Sequence, residues 1–139
     1  MKVVFDTSVL VAAARSRRGA SHALLSRLPA PCFQPVLSNS LFFEYRAVLL
    51  REENLLQRPA SQAEGFLDYF LAASDLQEVF FLWRPVLPDS NDDLILELAV
   101  AAGCRYIVTH NLRDFRGVEK FGIEAVAPSD FLKLITKTA

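Results

Sequence analysis

The chain has 139 residues, of which 52% are hydrophobic and 22% are charged, and its formal net charge is −1. This balance is typical of one globular domain, here expected to span residues 1–139, and it excludes an intrinsically disordered chain. A charge near zero gives the molecule no general attraction for nucleic acid, so any such binding needs a local basic patch.

The two cysteines, Cys32 and Cys104, have neither the number nor the spacing of a disulfide framework or a zinc site. We therefore expect reduced thiols in a cytoplasmic protein. The chain enters a strand-like segment after one lysine, so no signal peptide is expected. No apolar stretch reaches the roughly 20 residues that a membrane span needs, so we expect no membrane association.

The first part of the chain alternates between strand-like and helix-like segments. Pro35 allows its strand only at a sheet edge or a bulge. Ser21 and Ser38 are candidate helix caps. In chain order, we predict a strand at 2–5, a helix at 8–14, a helix at 21–28, a strand at 32–38 and a helix at 39–52.

The second part continues the alternation. Ser61 and Glu64 have capping-box spacing at the start of one helix, and Gly103 ends another. The predicted segments are a helix at 61–73, a strand at 78–83, a helix at 91–102, a strand at 105–109, a loop at 110–115, a strand at 123–127 and a helix at 128–135. This pattern predicts an α/β fold in three layers, with helices on both faces of a mostly parallel sheet of four to five strands.

Several carboxylates lie where this topology can bring them to one edge of the sheet, at the carboxyl ends of the strands. They are Asp6, Glu44, Asp89, Asp92, Asp93 and Asp114. Counting back three residues from the apolar Ile95 places Asp92 on the buried stripe of its helix, whereas Asp93 lies over Glu97 on a more exposed flank. Glu44 falls on or beside the apolar stripe of its own helix.

Carboxylates that face an apolar core are costly, and several at one edge repel and raise one another's pKa. A divalent cation that prefers hard oxygen ligands, such as Mg²⁺ or Mn²⁺, relieves both effects. Each residue also has a simpler interpretation, with Asp89 as a helix cap, Asp6 in a turn and Glu44 in an ion pair.

Other chemistries of strand-end carboxylates fit less well. Ser8 stands where phosphatases of the haloacid dehalogenase type have their second aspartate, so their acid–base relay is missing. Response-regulator receivers need an acidic pair after the first strand, and here Asp6 stands alone. The scattered glycines form no phosphate loop. Neither His22 nor His110 indicates a Ser/His/Asp triad, and His110 is interpreted as a loop residue.

The segments VVFDTSVLV, LSNSLFFEYRAVL, DSNDDLILELAVAAGCRYIVTHNLRDF and IEAVAPSDFL, taken in this order, resemble the PIN-domain family. The resemblance covers nearly the whole chain and is closest to the branch of VapC-like toxin components of bacterial toxin–antitoxin systems. It implies an α/β fold around a parallel sheet. It also implies a Mg²⁺- or Mn²⁺-dependent ribonuclease that uses three or four acidic residues.

Position by position, the resemblance implies Asp6 as the first acid, Glu44 as the second and Asp92 as the third. Asp89 is an additional candidate metal ligand. The helical phase of residues 91–102 selects Asp92 independently of the resemblance.

The fourth acid departs from the family pattern. Many relatives have an aspartate two positions after the strand-end threonine, Thr109, and this chain has Asn111 there. Either Asp114, three residues later, completes the site, or the site works with three acids. The departure puts the affinity for a second metal ion in doubt more than it does the fold.

Two further groups of residues are predicted to serve the same site. Hydroxyl and amide side chains can orient the acids, water or substrate, or can act only as turns and caps; they are Thr7, Ser8, Thr109 and Asn111. Basic side chains can guide a single RNA strand, or can belong to solvated loops; they are Arg15, Arg17, Arg18 and Arg113.

A competing interpretation is a catalytically weak PIN-like module that binds or regulates other proteins. The runs LFFEY, FLDYF and VFFLW hold more phenylalanine than a small core obviously needs. Some of these side chains could form a homodimer interface or an antitoxin interface, with core packing as the default. The sequence does not specify which RNA is cleaved.

Overall fold

The computed structural model describes residues 1–79 and 87–138, and in this part of the chain five strands alternate with helices. The elements are β1 (Lys2–Phe5), α1 (Thr7–Arg15), α2 (Ala20–Leu25), β2 (Gln34–Leu37), α3 (Asn39–Leu49), α4 (Glu52–Leu55), α5 (Ala60–Ala72), β3 (Asp75–Leu76), α6 (Ser90–Ala102), β4 (Tyr106–Val108), β5 (Glu124–Val126) and α7 (Pro128–Thr138). Two short 3₁₀ helices, Leu112–Phe115 and Val118–Phe121, lie between β4 and β5. No helix in the described ranges is long and apolar enough to cross a membrane.

The strands form one sheet in the order β3-β2-β1-β4-β5, and every described pairing is parallel. In its register, Phe5 of β1 lies opposite Val108 of β4. The central strand β1 is apolar and buried except for its first residue. The predicted mostly parallel sheet of four to five strands is confirmed, and its carboxyl ends meet at one edge.

The sheet packs against helices through large apolar side chains. Helix α6 contacts β1, β2 and β4. Phe5 packs edge-on against Phe33, Phe70 and Phe131, with ring centroids 6.0, 6.1 and 6.5 Å away. These contacts place part of the phenylalanine surplus in the core, whereas Phe43 on α3 is 66% exposed.

Pro35 lies inside β2, which has a neighbour on each side. The main-chain oxygen of Leu37 accepts a hydrogen bond of 2.8 Å from Gln77, so Leu37 faces the side of β3. Along a strand, the main-chain N–H and C=O groups of successive residues point to opposite sides. The nitrogen of Pro35, two residues before Leu37, therefore also faces β3. Pairing between β2 and β3 begins only at Val36, so the missing N–H of Pro35 interrupts no pairing.

Some predicted boundaries are wrong. An additional strand that the sequence pattern does not predict, Asp75–Leu76, pairs with β2 directly after α5. Glu78 and Val79, which begin the predicted strand at 78–83, are not in a strand, and its remaining residues lie outside the described ranges. The predicted helix at 39–52 ends at Leu49, and a separate short helix follows.

The predicted caps have mixed outcomes. Ser38 caps α3 by accepting a hydrogen bond of 3.1 Å from the N–H of Leu41, as predicted. Ser61 does not cap α5, because that helix begins at Ala60, after Pro59, and Ser61 lies within its first turn. Ser21 likewise lies inside α2, where its hydroxyl contacts His110.

Candidate functional site

Asp6 directly follows β1 and is 6% exposed. Its main-chain N–H donates to the oxygen of Val108, with a distance of 2.9 Å, which fixes it against the end of β4. Its Oδ2 atom accepts hydrogen bonds from Ser8 Oγ at 2.8 Å and from Thr109 Oγ1 at 2.7 Å. Asp6 occupies the cap position of α1, but its carboxylate makes no capping bond. The hydroxyls therefore orient this carboxylate at the edge of the sheet.

Glu44 reaches the same edge from α3. Thr7 Oγ1 donates a hydrogen bond to Glu44 Oε2, and the buried Tyr45 hydroxyl next to it donates to the main-chain oxygen of Phe5. Burial raises the pKa of Glu44, and the negative charges of Asp6 and Asp89 raise it further. The hydrogen bond from Thr7 and the positive charge of Arg51 act in the opposite direction and lower the pKa of Glu44. Glu44 thus belongs to the same electrostatic group as Asp6.

Asp92 completes this group from the first turn of α6. Burial raises its pKa to about 7, and the negative charges of Asp6, Asp89, Asp114 and Glu44 contribute in the same direction. An ordinary surface aspartate has a pKa near 3.8. Burial, and after it the charges of carboxylates from separate parts of the chain, therefore disfavour the ionised form of Asp92.

Asp93 does not lie on the exposed flank that the helical phase predicts. It is 2% exposed, and Glu97 is 1% exposed. Asp93 Oδ1 accepts a hydrogen bond of 2.8 Å from the buried N–H of Leu87. The phase prediction is wrong because α6 is buried around most of its circumference, including five consecutive residues at 95–99.

The two candidates for the fourth position lie together after β4. The N–H of Asn111 donates to Thr109 Oγ1 at 2.9 Å, and the N–H of Asp114 donates to the main-chain oxygen of Asn111 at 3.0 Å. Thr109 therefore links this turn to Asp6. Asp114 brings a charge that acts on Asp92, whereas Asn111 brings none.

These side chains surround one open cavity of about 370 Å³. Its lining residues are Asp6, Thr7, Ser8, Glu44, Val48, Arg51, Asp89, Asn91, Asp92, Asn111 and Asp114. The structure thus brings together the five acids predicted as metal ligands, without Asp93, and Thr109 is buried beside Asp6. Asp89 also caps α6, accepting from the N–H of Asn91 at 2.8 Å.

Sequence reasoning missed Arg51 and Asn91. Arg51 follows Glu44 by seven residues, which is about two helical turns and therefore the same face of a continuous helix. The spacing alone could therefore have placed Arg51 beside Glu44 in the predicted helix at 39–52. Asn91 precedes Asp92 and carried no signal of its own.

The four basic residues predicted to bind RNA are not among those lining the acidic cavity. Arg15 is at the far end of α1 and donates to the main-chain oxygen of Glu53 at 2.9 Å. Arg17 lines a separate, mainly apolar cavity of about 180 Å³. Arg18 and Arg113 are exposed. Their role in RNA binding stays a prediction.

Within the described ranges, no three His, Cys, Asp or Glu side chains are grouped so that they could hold a metal ion. The donor chemistry nevertheless fits a hard divalent cation, because the lining supplies carboxylate and amide oxygens. Such a cation would offset the negative charges of Asp6, Asp89, Asp114 and Glu44, which act together on Asp92. The residues present therefore fit Mg²⁺ or Mn²⁺ by chemistry, and their side chains would have to close around it.

Comparison with known proteins identifies the family of the chain. A family model described as PIN domain matches residues 2–113. None of the curated proteins compared with the chain matches it. Among solved structures, the crystal structure of VapBC2 from Rickettsia felis bound to a DNA fragment from their promoter is similar in fold. Its TM-score is 0.65 and its identity 16%, over 91% of this chain and 98% of that chain. Because the family model matches most of the sequence, the chain belongs to the PIN-domain family, whose members are generally nucleases.

Proposed function

We propose that the protein is a metal-dependent endoribonuclease that hydrolyses phosphodiester bonds of single-stranded RNA. The observation that carries the proposal is the convergence of five carboxylates on one open cavity, where burial and the charges of the other four raise the pKa of Asp92 to about 7. Such a cluster is costly to a fold, and perturbed carboxylates in a cleft are typical of catalytic sites. The proposed metal ligands are Asp6, Glu44, Asp92 and Asp114, with Asp89 as an additional one.

A bound divalent cation would lower the pKa of a water molecule and polarise the scissile phosphate. The chain's own residues hold the ligands in place. Ser8 and Thr109 hold one oxygen of Asp6, a residue that lines the cavity. Thr7 does the same for Glu44. These fixed hydroxyls limit the reorganisation that metal binding requires.

We further propose that this nuclease is the toxin component of a toxin–antitoxin system, with an antitoxin protein as partner, and that it acts in the cytoplasm. The likeness in fold to VapBC2, described as bound to a DNA fragment from their promoter, supports this proposal. The 66% exposed Phe43 offers apolar surface for an antitoxin or a second copy of the chain.

Cleavage of a single-stranded RNA with and without Mg²⁺ tests the function. We expect Mg²⁺-dependent products with the wild type. We expect Asp6→Asn and Asp92→Asn to lose activity by more than the ~100-fold that a change beside a metal ligand can cause. Asp68→Asn, which changes an exposed aspartate on α5, is the matched control and should cleave normally. Equal activity in all four proteins would refute the assignment of the acids.

The second candidate, a binding module without catalysis, is favoured by one observation. In the described part of the chain, the acids are not grouped as a formed metal site. Titration calorimetry with Mn²⁺ separates the two functions. Heat of binding that disappears in Asp92→Asn supports the nuclease, whereas no binding at millimolar Mn²⁺ supports the module.

A further inference from the structure

Arg51 is the one cation among the described residues that line the acidic cavity. Its side chain is exposed and makes no hydrogen bond or ion pair with any other described residue. Other arginines nearby are engaged elsewhere. Arg46 pairs with Glu64 at 2.6 Å, and Arg58 donates to the main-chain oxygen of Ala14 at 2.9 Å. Arg51 therefore has a guanidinium group available in a cavity of carboxylates.

The main chain of Arg51 is held firmly, although its side chain forms no hydrogen bond with another described residue. Its N–H donates to the oxygen of Val48 at 3.2 Å, and its own oxygen accepts from the N–H groups of Asn54 and Leu55 at 2.9 and 3.0 Å. The buried Asn54 side chain donates to the same Val48 oxygen at 2.7 Å. This turn between α3 and α4 fixes the point from which Arg51 reaches the cavity.

A cavity of five carboxylates repels the phosphates of a nucleic acid. A divalent cation offsets part of that charge, but neighbouring phosphates along the strand still need a positive partner. A guanidinium group suits this purpose, because its planar donors match two phosphate oxygens at once. An arginine that only balanced Glu44 would be expected to form an ion pair with it, and no such pair is present among the described residues.

We propose that Arg51 binds a backbone phosphate of single-stranded RNA next to the phosphate that is cleaved, and so positions the strand over the acids. This inference rests on the proposed function. It gives Arg51 a role in binding substrate, separate from the metal-binding role of the carboxylates.

The test measures binding of a short fluorescent single-stranded RNA by anisotropy over a series of NaCl concentrations. The parent protein carries Asp92→Asn, so that it does not cleave the probe, and Mg²⁺ is present. Adding Arg51→Gln should weaken binding about tenfold and reduce the slope of log affinity against log salt by about 0.7, the change for one lost phosphate contact. Arg51→Lys should restore the slope but not the full affinity.

Arg46→Gln is the matched control, because it removes an exposed arginine five residues earlier, and it should change neither affinity nor slope by a measurable amount. Thermal unfolding verifies that each variant is folded. Parental affinity and slope in Arg51→Gln would overturn the inference while leaving the proposed function intact. A parent that binds no RNA at any salt concentration, together with a wild type that cleaves none, would overturn both.

Discussion

Asp92 and Asp93 are neighbours in sequence with opposite surroundings. Consecutive residues of a helix point about 100° apart, so one side chain faces the cavity and the other faces the packed interior. Asp93 is buried and accepts a main-chain hydrogen bond from Leu87. Asp92 lines the cavity with other carboxylates, and its burial together with their negative charges raises its pKa. Asp93 is thus placed for stability, whereas Asp92 lies in the cavity that we propose binds the metal ion.

Replacing Asp92 should separate these two effects. The pKa of Asp92 in the folded protein is about 7, against 3.8 for an ordinary aspartate. Because the pKa is raised on folding, the stabilisation by the proton is complete below the unfolded value and is lost as the pH rises through about 7. In EDTA, Asp92→Asn should therefore match the wild type near pH 4 and melt ~3 °C higher at pH 8, after allowance for solvent screening. Differential scanning calorimetry measures the difference.

The neighbouring change provides the contrast. Asp93→Ala leaves the buried N–H of Leu87 without this acceptor, which should cost about 1–3 kcal/mol of unfolding free energy at pH 8. A melting temperature for Asp92→Asn that is below that of the wild type at pH 8 would contradict the account of its surroundings.

At the scale of helices and strands, the starts of the helices position the acids. Ser38 caps α3, which carries Glu44, and Asp89 caps α6, which carries Asp92. Helix α5 starts differently, after Pro59 and without a side-chain cap. Glu64, predicted to belong to a capping box there, pairs with Arg46 of α3 instead. The same residue types thus serve different purposes according to where the helix begins.

Two serine-to-alanine changes test this distinction. Ser38→Ala removes the acceptor for the N–H of Leu41 and should lower the free energy of unfolding by about 1 kcal/mol. Ser61→Ala lies inside the first turn of α5 and should leave it unchanged or slightly raised, because alanine has the higher helix propensity. Chemical denaturation of both variants measures the difference. Equal losses would mean that Ser61 caps α5 after all.

At the scale of the whole molecule, parallel topology gathers acids that are far apart in sequence. The sequence predicts this gathering from the strand ends, which are a local pattern, and Asp6, Glu44 and Asp92 all line the cavity. The sequence does not predict features that depend on the packing of the helices against the rest of the fold. Asp93 is buried because α6 is covered nearly all round, and no local pattern predicts the break after Leu49 that separates α3 from α4.

Because the carboxylates lie together in one cavity, binding of a metal ion there should also stabilise the whole folded protein. A ligand that binds only the folded protein stabilises it by about 2.7 kcal/mol at 100 times its dissociation constant. We expect Mg²⁺ to raise the melting temperature more at pH 8 than at pH 6, because at pH 6 a proton on Asp92 competes with the ion. Asp6→Asn should reduce the gain at both pH values. A gain that is independent of pH would place the ion away from Asp92.

The central claim is that the acids at this edge of the sheet share a divalent ion. A crystal structure of the wild type soaked with Mn²⁺, with anomalous difference density to locate the ion, tests it most directly. We predict a peak in the cavity with carboxylate oxygens of Asp6 and Asp92 at about 2.1 Å, the distance typical of small divalent cations. A peak bound elsewhere, or a cavity without one at millimolar Mn²⁺, would contradict the account.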